Sequence, residues 1–121
     1  QVIMDKILFV WYPGCDTCRK ARRWLQENKI EVVERHIVEQ NPTEQELAEW
    51  IPKSGLPIRK FFNTSGLLYK SMALKDKLSG MNDSEIIKLL ASNGMLIKRP
   101  LLIGKEKVRV GFKPDEWKAL L

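Results

Sequence analysis

The fold is decided by the stretch Trp11-Tyr12-Pro13-Gly14-Cys15-Asp16-Thr17-Cys18-Arg19-Lys20, which follows the wholly apolar run Ile7–Val10. Four successive apolar residues predict a central strand covered on both faces, and an amphipathic helical pattern begins just after the turn. Both cysteines of the sequence therefore lie where a buried strand passes into a helix. A thiol there faces unpaired backbone N–H groups and the positive end of the helix dipole. Both favour the thiolate, which is the reactive nucleophile.

The two sulfurs are predicted to differ in exposure. Cys15 falls at or before the first helical turn, whereas Cys18, Ala21 and Leu25 follow at helical spacing and share the apolar side of the helix. We therefore interpret Cys15 as the exposed, attacking sulfur and Cys18 as the shielded, resolving one. Two alternatives stay open. The thiols could be small packing groups of the core, or zinc ligands, although zinc needs about four ligands and the chain adds one histidine, His36.

The length of 121 residues predicts one domain, residues 1–121, because such a chain buries about two thirds of its unfolded surface. A hydrophobic content of 44% and a charged content of 30% are typical of a soluble globular protein. The sequence has no apolar run long enough to span a bilayer and no signal peptide pattern, so we expect a cytoplasmic protein without a membrane partner. Met4 is interpreted as the natural start. A single C-x-x-C in this setting is typical of redox chemistry.

The net charge of +6 has two interpretations. Surface lysines and arginines keep a small domain in solution, or their field attracts an anionic substrate or partner. The basic residues are dispersed without interleaved aromatic residues, so we expect no direct binding of nucleic acid. Nothing in the sequence demands more than a monomer.

The order of patterns predicts β-α-β, a helical block, then β-β-α. The first helix is expected to run to about Asn28, and residues 31–38 form a second strand that is parallel to the first. The helical block spans about residues 42–94. Its first helix begins at a capping box formed by Thr43 and Glu46.

The later helices and the hairpin are predicted from local signals. A weaker helix is expected over residues 71–78, and another begins at residue 82 or 83 and stops at Gly94, placed in the left-handed C′ position. Residues 104–106 form the turn of a hairpin. Pro114 starts the last helix, which Trp117 and Leu120 anchor.

The whole arrangement resembles a thioredoxin-like fold of the α/β class, with a mixed four-stranded sheet and an all-helical insert. More specifically, it resembles the arsenate reductase (ArsC)/Spx family, and within it the reductase-like uncharacterised branch. Four stretches carry this resemblance in the same order along the chain: Tyr12-Pro13-Gly14-Cys15, residues 54–66, Lys98-Arg99-Pro100, and Val110-Gly111-Phe112-Lys113-Pro114.

The resemblance implies roles for individual residues. In the family the first cysteine attacks arsenate, which gives Cys15 that role, and three basic residues hold the oxyanion. These positions match Arg59, Arg99 and Lys113, the last of which is arginine in true arsenate reductases. Lysine acts as a point charge, whereas guanidinium binds an oxyanion through two parallel hydrogen bonds. The resemblance also implies a cis bond before Pro100.

Two further residues are weighed as candidates. Arg109, on the last predicted strand, is a substitute ligand for the oxyanion. His36 is the one histidine available as a general base, but without an acid or serine partner it is interpreted as structural.

Two classes of function fit the sequence. The first is a thiol-dependent oxidoreductase resembling arsenate reductase, which acts on a small oxyanion or a thiol/disulfide substrate. It holds no bound cofactor or metal and uses an external reductant: glutathione, glutaredoxin or thioredoxin. The second is an Spx-like redox-sensing regulator that binds RNA polymerase. The segment 54–66 favours the enzyme. A redox-inactive remnant of the fold remains a third alternative.

Overall fold

A mixed sheet of four strands forms the centre of the protein, which a computed structural model describes over residues 6–120. The suggested start at Met4 lies outside the described residues. The strands are β1 (Ile7–Trp11), β2 (Val32–His36), β3 (Leu101–Ile103) and β4 (Val108–Val110), in the spatial order β2-β1-β3-β4. Strand β1 pairs in parallel with β2 and antiparallel with β3, and β3 pairs antiparallel with β4. The thioredoxin-like fold class and the parallel first pair are confirmed.

Within the described residues, six α-helices cover the sheet. They are α1 (Asp16–Glu27), α2 (Glu44–Ser54), α3 (Leu67–Ser71), α4 (Leu74–Lys77), α5 (Asp83–Ser92) and α6 (Pro114–Trp117). Short 3-10 helices occupy Ile58–Phe61, Leu78–Gly80, Gly94–Leu96 and Lys118–Leu120. None of these helices combines the length and the apolar character needed to cross a bilayer.

Strand β1 contributes to two separate hydrophobic cores because successive side chains of a strand point to opposite faces. Phe9 packs on one face with Leu25 of α1 and Trp117 of α6. Val10 packs on the other face with the helices that lie between β2 and β3, such as α2 through Leu47. All five side chains have an exposed fraction of 0% or 1%. Burying each of them stabilises the fold by about 1.5–3 kcal/mol. The cysteine turn at the end of β1 is therefore held from both sides of the sheet.

Two predicted local signals are present. The Thr43 side chain accepts a hydrogen bond from the Glu46 N–H, and the Glu46 carboxylate accepts one from the Thr43 N–H, which completes the capping box of α2. The hairpin turn between β3 and β4 is closed by the Gly104 N–H, which donates to the Lys107 carbonyl at 2.9 Å. Both features fix where an element begins, and neither depends on distant contacts.

The single helix predicted over residues 71–78 is wrong. Helix α3 begins earlier, at Leu67, and ends at Ser71, and α4 begins at Leu74. Between them Ala73 adopts a left-handed conformation with φ of 54°. One left-handed residue reverses the local backbone twist and cannot belong to a continuous α-helix.

The predicted role of Gly94 is also wrong. Gly94 has no positive φ, and α5 ends at Ser92 with Asn93 as its C-cap. A Cβ at Gly94 would overlap the carbonyl oxygen of Ile37 and lie 2.8 Å from its carbonyl carbon. The position needs glycine because the backbone after β2 passes directly against it, a close approach that only glycine permits.

Candidate active site at the cysteine turn

Cys15 is the N-cap residue of α1. Its backbone is extended (φ −101°, ψ 119°), and its sulfur accepts the Cys18 backbone N–H at 3.4 Å, as a serine or aspartate oxygen does at other helix starts. The turn is closed by the Cys15 N–H, which donates to the Tyr12 carbonyl at 3.0 Å. Cys15 is half-buried and Cys18 is fully buried. This is the unequal exposure that the helical spacing predicted.

The Cys15 thiol is acidified despite its partial burial. Burial raises its pKa, but hydrogen bonds from the Cys18 backbone and side chain and from Arg99, together with the Arg99 charge, outweigh that effect and hold the pKa below its ordinary value. All of these partners favour the charged form of the sulfur. The fraction present as thiolate at neutral pH is therefore larger than for a free cysteine.

Cys18 is shifted in the opposite direction. Burial raises the pKa of Cys18 to about 12, and the neighbouring Cys15 adds to that rise. A backbone hydrogen bond from Tyr12 and the Arg99 charge lower it only partly. The pair thus combines one sulfur whose pKa is lowered with one that stays protonated at neutral pH.

Arg99 is the basic side chain that acts on both sulfurs. It precedes Pro100 at the start of β3, and the Arg99–Pro100 peptide bond is cis, as the resemblance implies. Its guanidinium carbon lies 5.2 Å from the centre of the Tyr12 ring. Its Nη1 donates to the Met95 carbonyl at 3.4 Å.

A cavity of about 970 Å³ opens beside the Cys15 sulfur. Three of the predicted site residues line it together with Cys15: Arg59, Arg99 and Lys113. Two lysines that sequence reasoning did not single out also line it, Lys60 and Lys98. None of the lining residues, all of which lie in the described range 6–120, is acidic. The cavity is therefore suited to an anion.

The predicted basic residues are not equivalent in this cavity. Arg99 is half-buried beside the sulfur, whereas Arg59 is exposed on the 3-10 helix Ile58–Phe61. The Lys113 side chain is 61% exposed, and its Nζ lies 3.8 Å from a carboxylate oxygen of Glu116. At that exposure the ion pair with Glu116 is weak, so it does not prevent the Lys113 ammonium group from binding an anion.

Arg109 does not line the cavity, so its role as a substitute ligand is wrong. It pairs with Leu102 across the β3–β4 hairpin, and Leu102 packs in the core on the α1 face of the sheet. The next residue, Val110, points to the other face and does line the cavity. Because side chains alternate between the two faces along a strand, Arg109 lies on the face of the sheet opposite to the cavity.

His36 has a structural role, as its interpretation from sequence proposed. Its Nδ1 accepts hydrogen bonds from the backbone N–H groups of Val38 and Glu39 at 3.2 and 3.1 Å, which closes the turn after β2. Its ring packs edge-on against Tyr12 at a centroid distance of 5.6 Å. Among residues 6–120, no group of three or more histidines, cysteines or carboxylates is placed to hold a metal ion.

Tyr12 is the residue of this site that sequence reasoning missed. The available signal was its position three residues before Cys15, inside the motif itself. An aromatic ring in such a turn can bind a cation, but the sequence does not say which cation comes near it.

A sequence profile of the ArsC family matches residues 10–120, nearly the whole chain. The protein belongs to the ArsC family. Two curated relatives of this ArsC protein come from Bacillus subtilis (strain 168). The uncharacterised protein YusI is 54% identical over 92% of this chain and 94% of its own length. The regulatory protein MgsR is 31% identical over 93% of this chain and 87% of its own length.

Solved structures of similar proteins share the fold. An ArsC family related protein of Bacteroides fragilis is 56% identical, with a TM-score of 0.94, over 96% of this chain and 98% of its own. A possible arsenate reductase from Streptococcus mutans UA159 is 38% identical, with a TM-score of 0.86, over 94% of this chain and 98% of its own. The ArsC chain described here therefore has relatives that carry both reductase and regulator names.

Proposed function

We propose that this ArsC protein is a thiol-dependent oxidoreductase in which Cys15 is the nucleophile and Cys18 the resolving cysteine. The observation that carries the proposal is the contrast between the two sulfurs. Cys15 is half-buried at a cation-lined cavity and has a lowered pKa, and Cys18 is buried behind it with a pKa raised to about 12. A thiolate attacks, and a neighbouring thiol then displaces the adduct.

For a disulfide substrate the steps balance as follows. The Cys15 thiolate attacks one substrate sulfur, forms a mixed disulfide and releases the other half as a thiolate. Cys18 then gives up its proton, attacks the Cys15 sulfur and releases the second half as a thiol. The substrate gains two electrons and the protein loses two, which leaves a Cys15–Cys18 disulfide that an external thiol reduces.

For an oxyanion such as arsenate, the Cys15 thiolate displaces one oxygen, which leaves as water, and forms an arsenic–sulfur bond. Attack by Cys18 on the Cys15 sulfur breaks that bond and leaves arsenic reduced by two electrons, as arsenite. Glutathione, glutaredoxin or thioredoxin is the class of reductant that returns the protein to its dithiol. Arg59, Arg99 and Lys113 line the cavity in which the anion would sit.

The experiment is arsenate and disulfide reduction coupled to glutathione and glutaredoxin, with the native protein, Cys15→Ser and Lys113→Arg. We expect Cys15→Ser to abolish turnover of either substrate. We expect Lys113→Arg to improve arsenate turnover, because guanidinium binds an oxyanion through two parallel hydrogen bonds and ammonium does not. Turnover that survives Cys15→Ser, or a native protein that reduces neither substrate, would contradict the proposal.

A second candidate function is redox-sensing regulation through RNA polymerase, as in Spx. The similarity to the regulatory protein MgsR over 93% of this chain favours it. In this function the Cys15–Cys18 pair is a switch rather than a catalyst. Pull-down by the polymerase α subunit that depends on the oxidation state of the cysteines, with no reductase turnover, would support the regulator over the enzyme.

A further inference from the structure

The Tyr12 ring lies at the centre of the side chains that surround the cysteine turn. The Arg99 guanidinium lies over the ring at 5.2 Å, within the range of a cation–π interaction. The His36 ring packs edge-on against it at 5.6 Å and 86°. Gly14 lies close beside it, since a Cβ at Gly14 would be 2.7 Å from the Tyr12 Cε2 atom. The ring is therefore held in one position.

The backbone of Tyr12 contacts both cysteines. Its carbonyl accepts the Cys15 N–H at 3.0 Å, and its backbone lies near enough to the Cys18 thiol to lower the pKa of that thiol. One residue thus touches both sulfur-bearing residues through its main chain and the cation that faces them through its side chain. Tyr12 therefore connects the cysteine turn with the guanidinium.

Apart from the Tyr12 ring and the Cys15 sulfur that it faces, Arg99 has few restraints. Its hydrogen bond to the Met95 carbonyl is long, at 3.4 Å. Among residues 6–120, no carboxylate forms an ion pair with it. Arginine has a flexible stem with many rotamers, so a guanidinium without a carboxylate partner stays near the sulfur only if something else holds it.

We propose that Tyr12 is a positioning residue whose ring holds the Arg99 guanidinium against the Cys15 sulfur. The inference rests on the proposed function, because it explains how the attacking thiolate is stabilised. The quadrupole of the ring attracts the cation, and the cation in turn favours the ionised sulfur. Tyr12 acts through Arg99 and needs no contact with the substrate.

If Tyr12 only packs against its neighbours, its loss should have the same effect with and without Arg99. A double-mutant cycle distinguishes this packing role from the proposed positioning role. The rate of alkylation by the neutral reagent iodoacetamide is measured against pH for the native protein, Tyr12→Leu, Tyr12→Phe, Arg99→Gln and the Tyr12→Leu/Arg99→Gln double variant. Below the pKa of Cys15, Tyr12→Leu is expected to lower the rate by about two- to fivefold. Tyr12→Phe keeps the ring and is expected to stay within about twofold of the native rate.

The decisive comparison is the double variant. If Tyr12 acts through Arg99, Tyr12→Leu has no further effect once Arg99 is glutamine. An equal loss in both backgrounds, or no loss in the single variant, would overturn the inference. If Tyr12→Leu fails to fold, nuclear magnetic resonance of the native protein and of Tyr12→Phe still tests whether the ring lies against Arg99. The Arg99 side-chain protons should be shifted upfield by the ring, and random-coil shifts would overturn the inference.

The outcomes also separate this inference from the proposed function. A native Cys15 pKa no lower than that of a free cysteine, about 8.5, contradicts the thiolate mechanism. A lowered native pKa that Tyr12→Leu leaves unchanged contradicts only the role of Tyr12.

Discussion

The backbone N–H of Cys18 lies 3.4 Å from the sulfur of Cys15, and the first turn of α1 therefore donates to the attacking group. The donor belongs to the residue that is proposed to resolve the intermediate. The helix start acidifies one sulfur and fixes the second sulfur one turn away at the same time. The reactivity of the pair is thus a property of where the helix begins.

The first prediction concerns Arg99. Arg99→Gln removes the charge and leaves a side chain of similar length, so the pKa of Cys15 should rise and its alkylation rate near neutral pH should fall by about three- to tenfold. The measurement is the pH profile of iodoacetamide alkylation. Arg23→Gln, an exposed arginine of α1 outside the cavity, is the matched control and should behave as the native protein. Equal profiles for the two variants would rule out Arg99 as the stabilising cation.

The second prediction concerns the difference between the sulfurs. A pKa raised to about 12, mainly by burial, leaves Cys18 almost entirely protonated at pH 7. Cys15→Ser removes the smaller contribution of Cys15 but keeps the burial, so its Cys18 should be alkylated at least about a hundredfold more slowly than Cys15 in Cys18→Ser. Mass spectrometry of the two variants over time gives both rates. Comparable rates would show that burial does not shield Cys18 in solution.

The third prediction concerns the close approach at Gly94. Gly94→Ala forces a Cβ into the Ile37 carbonyl and should lower the free energy of unfolding by about 1–3 kcal/mol or more. Gly80→Ala is the matched control, because a Cβ there meets nothing within 4 Å. Urea unfolding of both variants is the measurement. A Gly94→Ala protein as stable as Gly80→Ala would mean that the backbone after β2 moves freely.

The fourth prediction is a pH dependence of stability. The Arg35 hydrogen bonds lower the pKa of Glu46, burial opposes this, and the Thr43 N–H and the Arg35 charge add to the lowering. Because the folded pKa lies below the unfolded value of about 4.3, the stabilisation is present above that pH and is lost as pH falls through the folded pKa. Unfolding free energies between pH 6 and 3 should fall less steeply in Glu46→Gln than in the native protein.

The control for that experiment is Glu49→Gln. Glu49 lies on the same helix, and its carboxylate lies 3.4 Å from Lys53, with the Glu49 side chain 64% exposed. An exposed pair contributes little, so Glu49→Gln should keep the native slope. If Glu46→Gln and Glu49→Gln gave the same slope, the partly buried Arg35–Glu46 pair would contribute no more to the pH dependence of stability than an exposed pair does.

The features that depend only on neighbouring residues in the chain could be predicted from the sequence. The apolar run Ile7–Val10, the capping box of Thr43 and Glu46, and the glycine of the β3–β4 turn each specify an element through neighbours in the chain. The unequal exposure of Cys15 and Cys18 follows from helical spacing in the same way. Such signals need no knowledge of the rest of the fold.

The remaining features depend on contacts between distant segments. Gly94 meets the backbone of Ile37, which is distant in the sequence, and Arg99 meets Tyr12 only because β3 lies next to β1. The face on which Arg109 lies depends on the exact register of a three-residue strand. A local sequence pattern contains none of this information. For that reason the predicted roles of Gly94 and Arg109 are wrong, and the role of Tyr12 is not predicted at all.

The deep burial of Cys18 has a consequence for the lifetime of the oxidised protein. Once the proposed disulfide has formed, an incoming thiol reaches it only from the Cys15 side and must expel Cys18. A thiolate of high pKa departs slowly in thiol–disulfide exchange. The oxidised form would therefore be reduced slowly without an enzyme that accelerates the reaction. After a brief exposure to oxidant, the disulfide would persist for longer than the oxidant itself.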